Sequence, residues 1–230
     1  MTAAAQAAPA GDLTLAELRV RLAPSIADAA IFDGWTDAAM VAAAQDAGVD
    51  PQVALLAFRR SPQGGGAMGM ITAWVEAIDA AMAVELPAEA LKGLPIRERI
   101  RRLVQFRLDA LVGREEALRR ALAIMAMPQN ARASLKLGWN SADAMWHLAG
   151  DTATDYNHYT KRMTLGAVYA STLAVFAQDE SEGHAETRSF LDRRIENVMQ
   201  FEKAKGRLLR SRADSFSPVR LLGRLRYPAR

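Results

Sequence analysis

Three histidines, His147, His158 and His184, and no cysteine make up the chain's stock of metal-binding and strongly nucleophilic side chains. Without cysteine there is no thiol nucleophile, disulfide framework, zinc–thiolate site or iron–sulfur cluster. A di-iron hydroxylase bundle needs E-x-x-H motifs on two facing helices. None of the histidines has glutamate at that position; Asp155-x-x-His158 stands alone, and an N-cap role accounts for the aspartate. The string Gly64-Gly65-Gly66-Ala67-Met68-Gly69 satisfies G-x-G-x-x-G. It follows a helical pattern instead of a strand, so it reads as a hinge and not as a dinucleotide loop. No G-x-S-x-G elbow and no P-loop lysine pattern occurs. The expectation is a protein with no catalytic residue, no metal and no cofactor, and not an enzyme.

Charge is the stronger signal. Residues 203–230 hold nine Lys/Arg against one acid, Asp214, a net of +8, which leaves −5 for residues 1–202 out of a total of +3. A basic tail on an acidic body suits an anionic surface. Pro218 fits a first helical position, and Val219, Leu221, Leu222 and Leu225 gather on one side with Arg220, Arg224 and Arg226 around them. That is the composition of a helix lying in a membrane interface. Val219, Arg220, Leu221, Leu222, Arg224, Leu225 and Arg226 are therefore the expected membrane-binding residues. No apolar run approaches the ~18 residues of a spanning helix, so the protein is expected to be soluble or peripheral.

The elements that must position these groups are helices. Alanine, leucine, arginine and glutamate dominate, and no β-branched run appears. Residues 1–12 read as a disordered lead. Thr14 and Glu17 open a short first helix as a capping box, and Pro24 is expected to end it. Further helices are expected over 25–34, from Thr36 to Gly48 and from Asp50-Pro51 to about Arg59, giving a small helix-turn-helix unit over 13–60. A bundle of longer helices follows over 67–202, and the basic amphipathic tail occupies 203–230. Met68, Met70, Met82, Met125, Met127, Met163 and Met199 lie on the long helices. They read as core filler, with the adaptable wall of an apolar cavity as the alternative.

Two stretches carry a resemblance. Residues 25–59, with the Ala47-Gly48-Val49 turn, resemble the helix-turn-helix end of TetR-type repressors. The run from Asp143 through Trp146, Gly150, Asp155, His158 and Tyr159 to Arg162 is longer and more distinctive. With Ala167-Val168-Tyr169, Gln178-Asp179 and Phe190 to Arg194, it resembles the family of coenzyme Q (ubiquinone) biosynthesis protein nine and its bacterial relatives. What the resemblance implies is an all-α, TetR-repressor-like helical bundle with an N-terminal helix-turn-helix unit and a C-terminal amphipathic helix. It further implies a cavity for an isoprenoid lipid or ubiquinone precursor, and a patch that docks a ubiquinone-pathway hydroxylase. On this chain that patch maps to Met145, Leu148, Asp155, His158 and Tyr159. The family often has tryptophan where this chain has His158, which weakens the apolar anchor.

The function expected from these readings is a non-enzymatic lipid-binding accessory protein of ubiquinone biosynthesis. It would be a homodimer, peripheral on an inner membrane: cytoplasmic in a bacterium, on the matrix face in a mitochondrion. The lining residues of its cavity are left open. The alternative is a TetR-type ligand-responsive transcription regulator. DNA is the less favoured partner, because Asp50 to Phe58 offers little beyond Gln52 and apolar side chains, and Asp37 and Asp46 stand on the neighbouring helix.

Overall fold

A computed structural model describes residues 13–59, 65–152 and 156–215. Ten α-helices follow one another in the described residues. They are α1 (Leu15–Asp33), α2 (Asp37–Asp46), α3 (Pro51–Arg59), α4 (Gly66–Glu85), α5 (Ala88–Leu91), α6 (Ile96–Asp109), α7 (Glu115–Met125), α8 (Ala131–Leu148), α9 (Tyr156–Phe176) and α10 (Ala185–Ser215). Single 3₁₀ turns at Pro128–Asn130 and Glu182–His184 lead into α8 and α10. The Thr14–Glu17 capping box is present, and Thr36 accepts from the Ala39 amide to start α2.

Three expectations are corrected. Pro24 does not end the first helix; α1 runs unbroken through it to Asp33. A proline there removes one backbone bond and costs ~3 kcal/mol. The turns on both sides repay it, since Leu22, Ala23, Ile26, Ala27 and Ala30 are fully buried along one face, and each large aliphatic buried is worth roughly 1.5–3 kcal/mol. The boundary expected after Glu202 also has no break: α10 continues to Ser215, so the basic segment begins inside a helix. Finally, α4 is long and apolar enough, by length and composition, to cross a membrane. Half of it is buried among the other helices, and it carries Glu76 and Asp79. It is the central strut of the core.

Helices α1 and α4 pack along each other, and α2 and α3 close over α1. Trp35, just before α2, stacks on Trp74 of α4 at 5.2 Å and donates to the Ala117 carbonyl of α7 at 3.0 Å. Those contacts tie the N-terminal unit to the bundle. Two arginines sit inside the apolar interior. Arg107 of α6 is buried against Asp79, the Ser141 hydroxyl and the Tyr169 ring. Arg162 of α9 is buried at the corner between α8 and α9.

Candidate functional site

Helix α8 places Leu137, Ser141, Ala142 and Met145 on its buried side and stops at Gly150, whose φ of +85° suits glycine. A β-carbon at Gly150 would meet Arg99 Nη1 at 3.1 Å. Arg99 needs that closeness, because its guanidinium donates to the Ala149 carbonyl at 2.8 Å and to Leu94 at 2.8 Å. The α8 end is thereby held to α6.

The turn is then locked by charge. Arg162, about 1% exposed, pairs with Asp143 and, at 3.1 Å, with the nearly buried Asp151. It also donates to the His158 carbonyl. Asp151 takes a second cation, Lys161, at 2.6 Å. The Trp146 indole donates to the Lys161 carbonyl at 3.0 Å, and the Lys161 ammonium lies 5.3 Å from the centre of the same ring. Burying this many charges is tolerable only because each has a partner.

Beside the corner lies an apolar groove of about 200 Å³. Its walls are Ile96, Arg97 and Ile100 of α6, Trp146 of α8, the Asn157–Thr160–Lys161–Thr164–Leu165–Val168 face of α9, and Ile195, Val198 and Met199 of α10. The α9 face follows helical spacing, so hydroxyls and an amide run up one edge while aliphatics fill the rest. The groove exceeds the ~150 Å³ that takes a benzene-sized guest and is smaller than the ~300–1,000 Å³ typical of sites that swallow a whole ligand. It fits part of a long molecule. Of the seven methionines on the long helices only Met199 lines it. Met68, Met70 and Met82 are buried core, Met125 packs against the core, and Met127 and Met163 are exposed.

The expected docking residues are distributed unevenly. Met145 is fully buried, because it continues the inward stripe of α8, and it cannot itself touch a partner. Leu148 is half-buried against the core. Asp155 lies outside the described residues. His158 is half-buried and meets the Tyr159 ring edge-on at 5.2 Å, and Tyr159 is exposed. Trp139, which the sequence reading passed over, stands 5.9 Å from Tyr159 and 6.2 Å from His158. Leu135 and Met163, both exposed, extend this surface by one turn on α8 and α9. The expected membrane residues Val219, Arg220, Leu221, Leu222, Arg224, Leu225 and Arg226 also lie outside the described residues.

Sequence reasoning missed Arg97, Asp151, Lys161 and Arg162. A signal for Arg162 exists: it shares an apolar stripe with Leu165, Val168 and Tyr169, and an arginine on such a stripe demands a buried acid. Asp179, between α9 and α10, accepts from the amides and hydroxyls of Ser181 and Thr187. Burial alone would raise its pKa, but those four donors outweigh it and hold the carboxyl well below the ordinary range. It fixes where α10 starts, and so where the groove's outer wall lies.

The helix-turn-helix unit looks different. Gln52, Val53 and Leu56 are exposed on α3. Arg59 faces Asp37 at 3.7 Å, and Arg19 donates to the Ala57 carbonyl. Among the described residues, these two cations are engaged within the unit. Among the described residues, no three His, Asp or Glu side chains gather where a metal would need them. His147 pairs with Asp143 and His184 with Glu115.

Residues 131–202 match the COQ9 family model. The chain is 43% identical over 100 residues to the mitochondrial ubiquinone biosynthesis protein COQ9 of Rattus norvegicus, covering 44% of this chain and 32% of that protein. The human protein of the same name is 41% identical over 100 residues, 44% of this chain and 31% of its own. The chain thus spans about a third of the length of these curated relatives. Among solved structures, the TetR transcriptional regulator from Nitrosomonas europaea ATCC 19718 superimposes with a TM-score of 0.61 at 21% identity, over 80% of this chain and 99% of that one. The match begins at the first residue of α8 and ends within α10, so the charged corner and most of the groove fall inside it. Residues 131–202 are therefore similar to the COQ9 family, in a chain with a TetR-like helical fold.

Proposed function

We propose that this chain is a non-enzymatic accessory protein of ubiquinone biosynthesis that holds the isoprenoid tail of a quinone precursor in the groove and presents its ring to a partner hydroxylase. The observation that carries the reading is the make-up of the groove. Ten of its thirteen lining residues belong to the COQ9-like segment, and the other three come from α6, which Arg99 ties to the end of α8. Each CH₂ removed from water is worth ~0.8 kcal/mol, so a polyprenyl tail resists leaving a bilayer. An apolar wall offered at the membrane surface lowers the cost of lifting the ring to a soluble active site. Docking of the hydroxylase is assigned to the Trp139–His158–Tyr159 surface, together with Leu148 and, from the sequence resemblance, Asp155. Trp139 supplies aromatic area that compensates for histidine at position 158. The basic segment after Glu202 is assigned to the anionic leaflet of an inner membrane, mitochondrial as in the named relatives or bacterial, where each cation adds on the order of 1 kcal/mol. A homodimer is part of the proposal.

The test is solvent extraction of gently purified protein followed by mass spectrometry. A polyisoprenoid should be released, and Leu165→Trp, which fills the groove, should release far less. Equal recovery from both proteins removes the groove as the binding site.

A further inference from the structure

We infer that the groove discriminates by head group: it selects a long-chain lipid ending in a carboxylate over its neutral counterpart, and Arg97 is the residue that makes the distinction. This rests on the reading of the groove as a lipid site and adds the chemistry at its mouth. Most cations around the mouth already have their donors engaged. Lys161 and Arg162 are matched by Asp151 and Asp143. Glu98, the next residue on α6, faces Arg101 and Arg102, and Arg101 also holds Asp192 of α10 at 3.0 Å. Arg99 is spent on two backbone carbonyls.

Arg97 is the remainder. It lines the groove and is exposed at its lip, and among the described residues it has no ion-pair partner. The site therefore carries a net positive charge beside an apolar wall, and Arg97 is its cation at the lip with no carboxylate or carbonyl partner among the described residues. A carboxylate accepts two parallel hydrogen bonds from a guanidinium, while an ester or a quinone carbonyl accepts weaker ones and brings no charge. Thr160 and Thr164 run along the same edge of the groove, and Ile195, Val198 and Met199 face them across it. The polar end of the ligand belongs on the α6–α9 side and its chain against α10. A cationic amphiphile is disfavoured by the same charge.

The test uses the full chain and two probes: a fluorescent polyene fatty acid and its methyl ester, titrated at pH 8 below their micellar range. The wild-type protein should bind the acid about tenfold more tightly, the scale of one charge-assisted hydrogen-bonded pair at a half-wet rim. Arg97→Gln should abolish the difference by weakening the acid far more than the ester, and Arg97→Lys should restore part of it. Equal affinity for acid and ester in the wild type overturns the inference, as does a preference that survives in Arg97→Gln. Failure of both probes to bind overturns the lipid groove itself, an outcome distinct from binding without discrimination.

Discussion

Both the α1–α3 unit and the α8–α10 segment bring arginines against carboxylates, at opposite ends of the burial scale. Arg59 and Asp37 meet at 3.7 Å with side chains 71% and 59% exposed. Arg162 and Asp151 meet at 3.1 Å with side chains 1% and 5% exposed. Helix starts follow the same division. Exposed threonines cap α1 and α2, whereas the start of α10 hangs on Asp179, about 8% exposed, with four donors aimed at it. Surface charge can be moved at little cost; buried charge must be built around. The N-terminal unit keeps a helix-turn-helix shape in which Arg19 and Arg59 are engaged within the unit, and the C-terminal segment gathers its buried charges at one corner beside one groove.

The largest effect should come from breaking that corner. Arg162→Met leaves Asp143 and Asp151 without their shared cation, and removing one partner of a buried ion network costs about 3–5 kcal/mol. Urea unfolding should register a loss of that size. The His158 carbonyl loses a donor as well, so fluorescence of the Trp139 neighbourhood should shift. A loss under ~1 kcal/mol would show that water already reaches the corner, and the contrast between the two regions would disappear.

A smaller loss is expected where α10 begins. Asp179→Ala strands the Ser181 and Thr187 amides, a cost of about 1–3 kcal/mol. The pH dependence has a definite sign. The folded carboxyl lies below its unfolded value, so its contribution is complete above the ordinary aspartate range near 3.9 and is lost as pH falls below it. Acid unfolding of the wild type should therefore steepen below about pH 4, and Asp179→Ala should flatten that step. An unchanged acid profile would place the cap in a region that unfolds independently.

Much of the helical layout is legible in the sequence, because capping boxes, glycine stops and apolar stripes are local and mutually consistent. Pro24 was misread for the opposite reason. Its cost is local, but the burial of Leu22, Ile26 and Ala30 that outweighs it depends on α4 and α7, far away in the chain. The corner motif was recognisable as a pattern, yet its use was not. Spacing puts Met145 near Leu148, but only the packed bundle shows that one faces inward. Trp139 and Leu135 drew no attention because they precede the distinctive run, and their closeness to Tyr159 is tertiary. The groove as a set gave no sequence signal: Arg97, Thr164 and Met199 sit on three separate helices, and Met199 stood out only as one of seven methionines.

The smallest effect should come from the helix-turn-helix unit. Arg59→Ala removes one exposed pair, and double-mutant cycles on such pairs give ~0.2–1 kcal/mol. With a distance of 3.7 Å and both side chains mostly solvated, the lower end applies, about 0.3 kcal/mol in urea unfolding. Asp37→Ala frees Arg59 without removing it, which separates two roles. If the pair merely holds the unit together, both variants lose the same few tenths and neither retards duplex DNA at moderate salt. Retention of a defined DNA sequence by Asp37→Ala would mean that the cation is held in reserve for phosphate. The N-terminal unit would then be a reader kept silent by one carboxylate and no longer a spent scaffold.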